Sequence, residues 1–346
     1  MGMPGILGLA TALPPNRHPQ LDIYTLFMVP RIGPNRLVQT AFAHAEIDYR
    51  HSVLADGHFY DHPQSTEARN NAYMQYARPL GAEAIRRCLD DAGLGTQDVD
   101  ELIIVSCTGL DTPGLDLLLA ADLGMRHNLR RTSILAMGCY AAFPALVRAA
   151  DTVRARPGSH ALVLCLELCT LHFQDDLSID NLMAIALFAD GAAAALVGDA
   201  PGGPRLLDFR TYSDYQTLEH MAWHLTDHGF QMRLSAYVPN VLRAQVGPIL
   251  EELLQPHGLT RQDIRFWGIH PGGSRILDYI QDALSLSAEE LKFSREILRQ
   301  YGNMSSPTIL FVLEEMRQHG NPQPGDYGVL MAFGPGLTME MCLLQW

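Results

Sequence analysis

Five short runs in this chain are apolar almost throughout: Glu101–Cys107 (ELIIVSC), Ala161–Cys169 (ALVLCLELC), Gly191–Val197 (GAAAALV), Ile264–His270 (IRFWGIH) and Tyr327–Phe333 (YGVLMAF). A strand with one face in water alternates apolar and polar side chains, whereas a strand covered on both faces does not. The five runs therefore predict buried strands. Between them the apolar positions recur at helical spacing over Thr66–Asp91, Tyr140–Arg154, Val241–Leu254 and Met304–Arg317. Strands alternating with helices predict an α/β fold with helices laid over a sheet.

The pattern also repeats. Asp98–Gly109 (DVDELIIVSCTG) and Gln262–Gly273 (QDIRFWGIHPGG) each read as a polar entry, a strand and a glycine turn. Cys107 to Cys139 is a step of 32 residues and His270 to Asn303 one of 33, and both second members follow a glycine, Gly138 and Gly302. Two copies of one α/β unit account for this, with halves at 1–205 and 206–346.

Composition narrows the class. Of 346 residues, 47% are hydrophobic and only 18% charged, below the ~25% of an average soluble domain, so a large core is expected. The net charge of −13 argues against nucleic acid as a partner. No apolar run reaches the ~20 residues of a membrane span. The first residues, MGMPGILGLATALPPNR, read as a strand and a Pro-Pro turn rather than a signal peptide. The six cysteines include no CxxC pair. Reduced thiols in a cytoplasmic protein are expected, and no metal site.

Three polar residues stand where chemistry could be done. Cys139 follows Gly138 where an apolar run turns helical, and a helix N-terminus favours the thiolate. A core cysteine would fit that window equally well. His270 ends a strand and enters Pro-Gly-Gly, a place for the base of a cysteine nucleophile. Asn303 opens the Met304 helix, either as its N-cap or as an amide donor to an oxygen that gains charge in reaction.

Five motifs standing in order join these residues: MGCYAAFPAL around Cys139, ALFADGAAAALVG around Phe188, WGIHPGGSRIL around His270, YGNMSSPTILFVLEEMR around Asn303 and AFGPGLTMEM around Gly334, Pro335 and Gly336. Together they resemble the type III polyketide synthases, the chalcone synthase-like branch of the thiolase superfamily. The resemblance implies a thiolase-like, five-layered αβαβα enzyme, homodimeric, with CoA thioesters as substrates and no cofactor. It implies Cys139 as nucleophile, paired with His270 as an ion pair, Asn303 and His270 as donors to an enolate oxygen, and Phe188 as the apolar wall against which malonyl-CoA loses CO₂. In the pocket, Trp223 and Met232 fall where chalcone synthases have glycine and phenylalanine, and a pocket threonine falls at about His172. That segment resembles bacterial alkylresorcinol and alkylpyrone synthases and implies a fatty acyl starter with a pyrone or resorcinol product. Ser305 is expected near the cyclisation pocket. The family's basic cluster for CoA falls on Leu37, Thr40 and His44, which leaves Arg50, with Arg31 and Arg36 as further candidates, for CoA at the entrance, and Gly272, Gly273 and Ser274 along its pantetheine arm. Two rival readings use the same residue types: a single-condensation β-ketoacyl-carrier-protein synthase III and a papain-like cysteine hydrolase.

Overall fold

The computed structural model describes residues 2–174, 178–199, 203–234 and 238–346. Its strands are β1 (Pro4–Ala12), β2 (Asn16–Pro19), β3 (Tyr49–Ser52), β4 (Glu101–Ser106), β5 (Arg130–Leu135), β6 (Ala161–Leu168), β7 (Asp190–Asp199), β8 (Arg205–Ser213), β9 (Met221–Thr226), β10 (Gly229–Leu234), β11 (Ile264–Ile269), β12 (Tyr327–Gly334) and β13 (Thr338–Gln345). Nine of these form one mixed sheet in the order β11-β12-β13-β8-β1-β7-β6-β4-β5, and β9–β10 and β2–β3 form two small ribbons. Among the described residues, β8 meets β1 at the single paired position Gly5–Arg205. The sheet is thus two half-sheets joined at a narrow seam.

Period-two alternation distributes each apolar strand between two cores. In β4, Leu102 and Ile104 enter one core while Ile103 and Val105 enter another. In β6, Leu162, Leu164 and Leu166 face the first, and Val163 and Cys165 the second. The helix Thr66–Ala92 closes the first core with Ala77, Ile85 and Cys88. The helices Ala142–Ala155 and Thr308–His319 fill the second with Phe143, Leu146, Ile309 and Val312. The other half-sheet presents Leu330, Ala332, Cys342 and Leu344 to that same second core. It presents Val329, Met331, Met341 and Leu343 to a third, under the helices Val238–Leu254 and Ser274–Leu284. Helix, sheet, shared helices, sheet, helix: the αβαβα layering follows from which side of each strand is covered by what.

Both halves enter a parallel strand, β4 and β11, through the same short turn. Gly95 N–H donates to Asp98 before β4, and Thr260 N–H to Asp263 before β11, at 2.8 and 2.7 Å.

The element ends differ from the sequence expectation in one consistent way. Cys107, Cys169 and His270 lie just past the last ladder residues Ser106, Leu168 and Ile269. Their side chains emerge at the C-terminal ends of strands, where α/β sheets place ligands. The helices expected to open at Tyr140 and Met304 begin at Ala142 and Thr308, so Cys139 and Asn303 sit in turns ahead of them. No helix among the described residues is long and apolar enough to cross a membrane.

Candidate active site

β5 hands the chain to Cys139 through a tight elbow. Ala136 and Gly138 both take left-handed backbone, φ 59° and 71°. A Cβ on Gly138 would lie 2.8 Å from the Pro335 ring, and one on Gly334 would lie 2.6 Å from the Tyr140 ring. The Gly334-Pro335-Gly336 turn therefore packs against the elbow and braces it.

Cys139 is buried, and Ser305 and Asn303 direct hydrogen bonds at its sulfur. Those bonds favour the thiolate, but burial outweighs them and pushes the thiol up to about 11. Asn303 is held on both sides: its Oδ1 accepts from the Ser305 N–H at 2.8 Å and its Nδ2 donates to the Gly272 carbonyl at 3.3 Å. Its backbone pairs with the Phe188 segment. Asn303 N–H donates to the Leu187 carbonyl and Ala189 N–H to the Asn303 carbonyl, both at 2.9 Å. Asn303 is thus no helix N-cap. It is one side of a two-residue bridge whose other side is Phe188.

His270 is 1% exposed, anchored by its N–H to the Met331 carbonyl at 2.8 Å. Both ring nitrogens lack hydrogen-bond partners, and burial lowers the imidazole to about 3. An environment this dry favours neutral thiol and neutral imidazole over the expected ion pair.

One cavity opens beside these groups. It is narrow, with a volume of about 10 Å³, and is lined by Cys169, His172, Ala184, Phe188, Trp223 and Met232 among others. The Trp223 ring meets Phe188 at 5.5 Å and Phe230 at 6.3 Å, both edge-on. Met232 faces Trp223 across the β9–β10 ladder. His172 bridges two walls: its Nε2–H donates to the Thr108 carbonyl at 2.8 Å while Nδ1 accepts the Phe230 N–H at 3.4 Å. Trp223, Met232, Phe188 and His172 all line this one cavity. Ser305 does not line this cavity but faces Cys139 and lies 4.0 Å from the Cys107 sulfur.

Arg50 requires a correction. It is fully buried and donates to the Ile185 and Phe188 carbonyls at 2.6 and 2.7 Å, so it cannot meet a CoA phosphate at the surface. Gly272 and Gly273 lie beside His270 and Leu187, and Ser274 begins the next helix.

Glu167 escaped the sequence reading. Fully buried, it accepts from Cys107 N–H, Thr108 Oγ1 and Ser306 Oγ at 3.0, 2.7 and 2.8 Å. Burial holds its carboxyl above the usual range. A single acid inside the otherwise apolar ALVLCLELC run was its only signal. Phe230 and Cys169 were missed because only tertiary structure brings them to the cavity.

His172 makes the site acid-sensitive. Burial, with Arg69 nearby, lowers it to about 4 from 6.5. Above pH 6.5 both folded and unfolded states leave it neutral. Below, the unfolded chain takes up a proton that the folded one refuses until about pH 4, so this contribution to stability is lost as pH falls, by roughly 3 kcal/mol in full. The stability gap between wild type and His172→Asn is expected to shrink by that order between pH 7 and 4, measured by urea denaturation. A pH-independent gap would contradict the buried neutral imidazole.

Residues 2–201 match the N-terminal domain of the chalcone and stilbene synthases, and residues 214–346 match their C-terminal domain. The chain is 36% identical over 351 residues to 1,3,6,8-tetrahydroxynaphthalene synthase of Streptomyces peucetius subsp. caesius, covering 99% of this chain and 93% of that protein. It is 33% identical over 348 residues to 3,5-dihydroxyphenylacetyl-CoA synthase of Amycolatopsis balhimycina, covering 98% and 92%. The crystal structure of 1,3,6,8-tetrahydroxynaphthalene synthase from Streptomyces coelicolor A3(2) superposes with a TM-score of 0.93 at 31% identity over 99% of each chain. That of PKS-I from the brown alga Ectocarpus siliculosus gives 0.92 at 29% identity, covering 100% of this chain and 98% of the alga's. With elbow, layers and both domains in agreement, the chain belongs to the chalcone and stilbene synthase family, the type III polyketide synthases, which are acyltransferases that extend an acyl chain by decarboxylative Claisen condensation with malonyl-CoA.

Proposed function

We propose that this enzyme primes Cys139 with a short acyl-CoA, malonyl-CoA itself or its decarboxylated form, and extends it to a poly-β-keto chain that closes into a polyhydroxylated aromatic ring. The observation that carries this reading is the Trp223 ring, wedged between Phe188 and Phe230 in the space beside Cys139. The named relatives make tetrahydroxynaphthalene and dihydroxyphenylacetyl-CoA. Both products carry oxygen on alternating ring carbons, as two-carbon condensation leaves it, and neither carries an alkyl tail. A fatty acyl starter with a pyrone or resorcinol product is the second reading. The flexible apolar Met232 in the cavity wall favours it.

The chemistry proceeds from the geometry. Cys139 sulfur attacks the starter thioester, its proton passing through His270 to the departing CoA sulfur. Malonyl-CoA then loses CO₂ against Phe188, whose apolar face denies the carboxylate its water. The electron pair moves onto the thioester oxygen as an enolate. Neutral His270, whose ring nitrogens have no competing partner, and the Asn303 amide donate to that oxygen. The enolate carbon attacks the acyl carbonyl and frees the Cys139 sulfur, which takes the lengthened chain back as CoA leaves. Gly272, Gly273 and Ser274 flank the approach to His270, where the pantetheine arm would run.

A homodimer fits β5. It ends the sheet with an unpaired edge, and Leu110, Leu117 and Leu135 are exposed beside it; a bare edge with apolar neighbours is normally covered. Six free thiols and CoA substrates suit a cytoplasmic setting.

The test supplies malonyl-CoA as the only substrate and, separately, with acyl-CoA starters from acetyl to palmitoyl. Aromatic product from malonyl-CoA alone is expected. Product only when a long acyl-CoA is present would replace this reading by the second.

A further inference from the structure

Arg50 is a cation placed where the fold has no evident need of one. It is fully buried, and burying a charge is costly unless its donors are well used. Yet among the described residues its Nε and Nη2 find no hydrogen-bond partner, and the guanidinium faces the Phe42 ring at 5.6 Å. Its Nη1 donates to two carbonyls, Ile185 at 2.6 Å and Phe188 at 2.7 Å. Asp190, two residues beyond Phe188, is its buried counter-charge.

The stem of Arg50 touches the other half of the bridge. A Cβ on Gly302 would lie 2.9 Å from Arg50 Cγ and Cδ, so the chain before Asn303 rests directly on the arginine. Phe188 and Asn303 are tied to each other by the two backbone bonds on either side of their bridge. One side chain therefore holds Phe188 by its head and supports Asn303 by its stem. It makes no hydrogen bond to the elbow that carries Cys139.

We propose that Arg50 is a positioning residue for the decarboxylation step, fixing the registry of the Phe188 ring against the Asn303 amide, while acyl loading on Cys139, to whose elbow Arg50 makes no hydrogen bond, depends on it far less because only the Asn303 contact at the sulfur is shared. This rests on the roles given to Phe188 and Asn303 above. The asymmetry is what separates it from a purely structural arginine: misplacing the bridge disturbs the wall and the enolate donor but leaves the nucleophile in place.

Arg50→Lys and Arg50→Met are compared with wild type in three readouts on the full chain: Cys139 acylation by acetyl-CoA, CO₂ release from malonyl-CoA, and thermal melting. Lysine retains the charge and a donor for the carbonyls but loses the planar fork. CO₂ release is expected to fall about 10-fold in Arg50→Lys and about 100-fold in Arg50→Met, mainly in kcat, since an ångström of misplacement costs on that order. Acylation per folded molecule is expected to stay near wild type. If Arg50→Met does not fold, Arg50→Lys alone decides. Unchanged CO₂ release in a folded variant, or acylation and CO₂ release falling together, would overturn the proposal. A wild-type enzyme that releases no CO₂ from malonyl-CoA would instead overturn the reading of the site on which it rests.

Discussion

Cys139→Ala is expected to lower acyl loading and product formation at least about 10³-fold, because no other group can form the thioester at the elbow. Cys107→Ala is expected to leave loading within a few-fold of wild type. Cys107 is the harder control, since its sulfur lies 4.0 Å from the Ser305 hydroxyl that also faces Cys139. What separates them is environment. Burial first and then Glu167 hold the Cys107 thiol well above its ordinary value, and Glu167 accepts from the Cys107 main chain; burial and Glu167 raise Cys139 as well, but there the Asn303 bond is added and the rise stops at about 11. At Cys139 the bonds from Ser305 and Asn303 work toward the thiolate. Loading followed by mass spectrometry of the two variants decides it. Equal loss from both would remove the distinction between nucleophile and neighbour.

Trp223→Gly is expected to shift starter choice. Removing the indole leaves a gap between Phe188 and Phe230 at the cavity wall. Filling such a gap with methylenes is worth about 10- to 200-fold per group in kcat/KM, so hexanoyl- or octanoyl-CoA should gain on a malonyl-derived starter by at least about tenfold. CO₂ release from malonyl-CoA should persist, because Phe188 and Asn303 are bridged independently of the β9–β10 ribbon. Trp223 is only half-buried, so the stability loss should fall below the 3–5 kcal/mol of a fully buried Trp→Ala change. An unchanged starter profile would return Trp223 to plain packing.

The layered architecture was legible because its signal is local. Strands covered on both faces are apolar almost throughout, and β4, β6, β7, β11 and β12 are buried at nearly every position. Cys139, His270 and Asn303 were legible because each lies next to a glycine or a strand end. Arg50 was not. It reads as a CoA ligand because the family's basic cluster falls on non-basic residues nearby, and only the burial of its guanidinium against Ile185 and Phe188 shows otherwise. Asn303 was expected at a helix start because the helical spacing begins there. The left-handed Ser305 delays the helix to Thr308 and frees the amide for Cys139. The Phe188–Asn303 bridge joins segments far apart in sequence, and no local pattern announces such a contact. Nor does one announce the electrostatics. A helix N-terminus was expected to lower the Cys139 thiol, yet its burial with Cys169, Ala184 and Phe188 leaves desolvation dominant.

The central claim is that Cys139 carries a chain that grows by repeated two-carbon additions. The most direct measurement is peptide mapping by mass spectrometry after brief mixing with malonyl-CoA and acid quench. A series of acyl adducts on the Cys139 peptide, spaced by one two-carbon keto unit, is the predicted result. A single adduct that never lengthens, or a series on any other cysteine, would contradict the account.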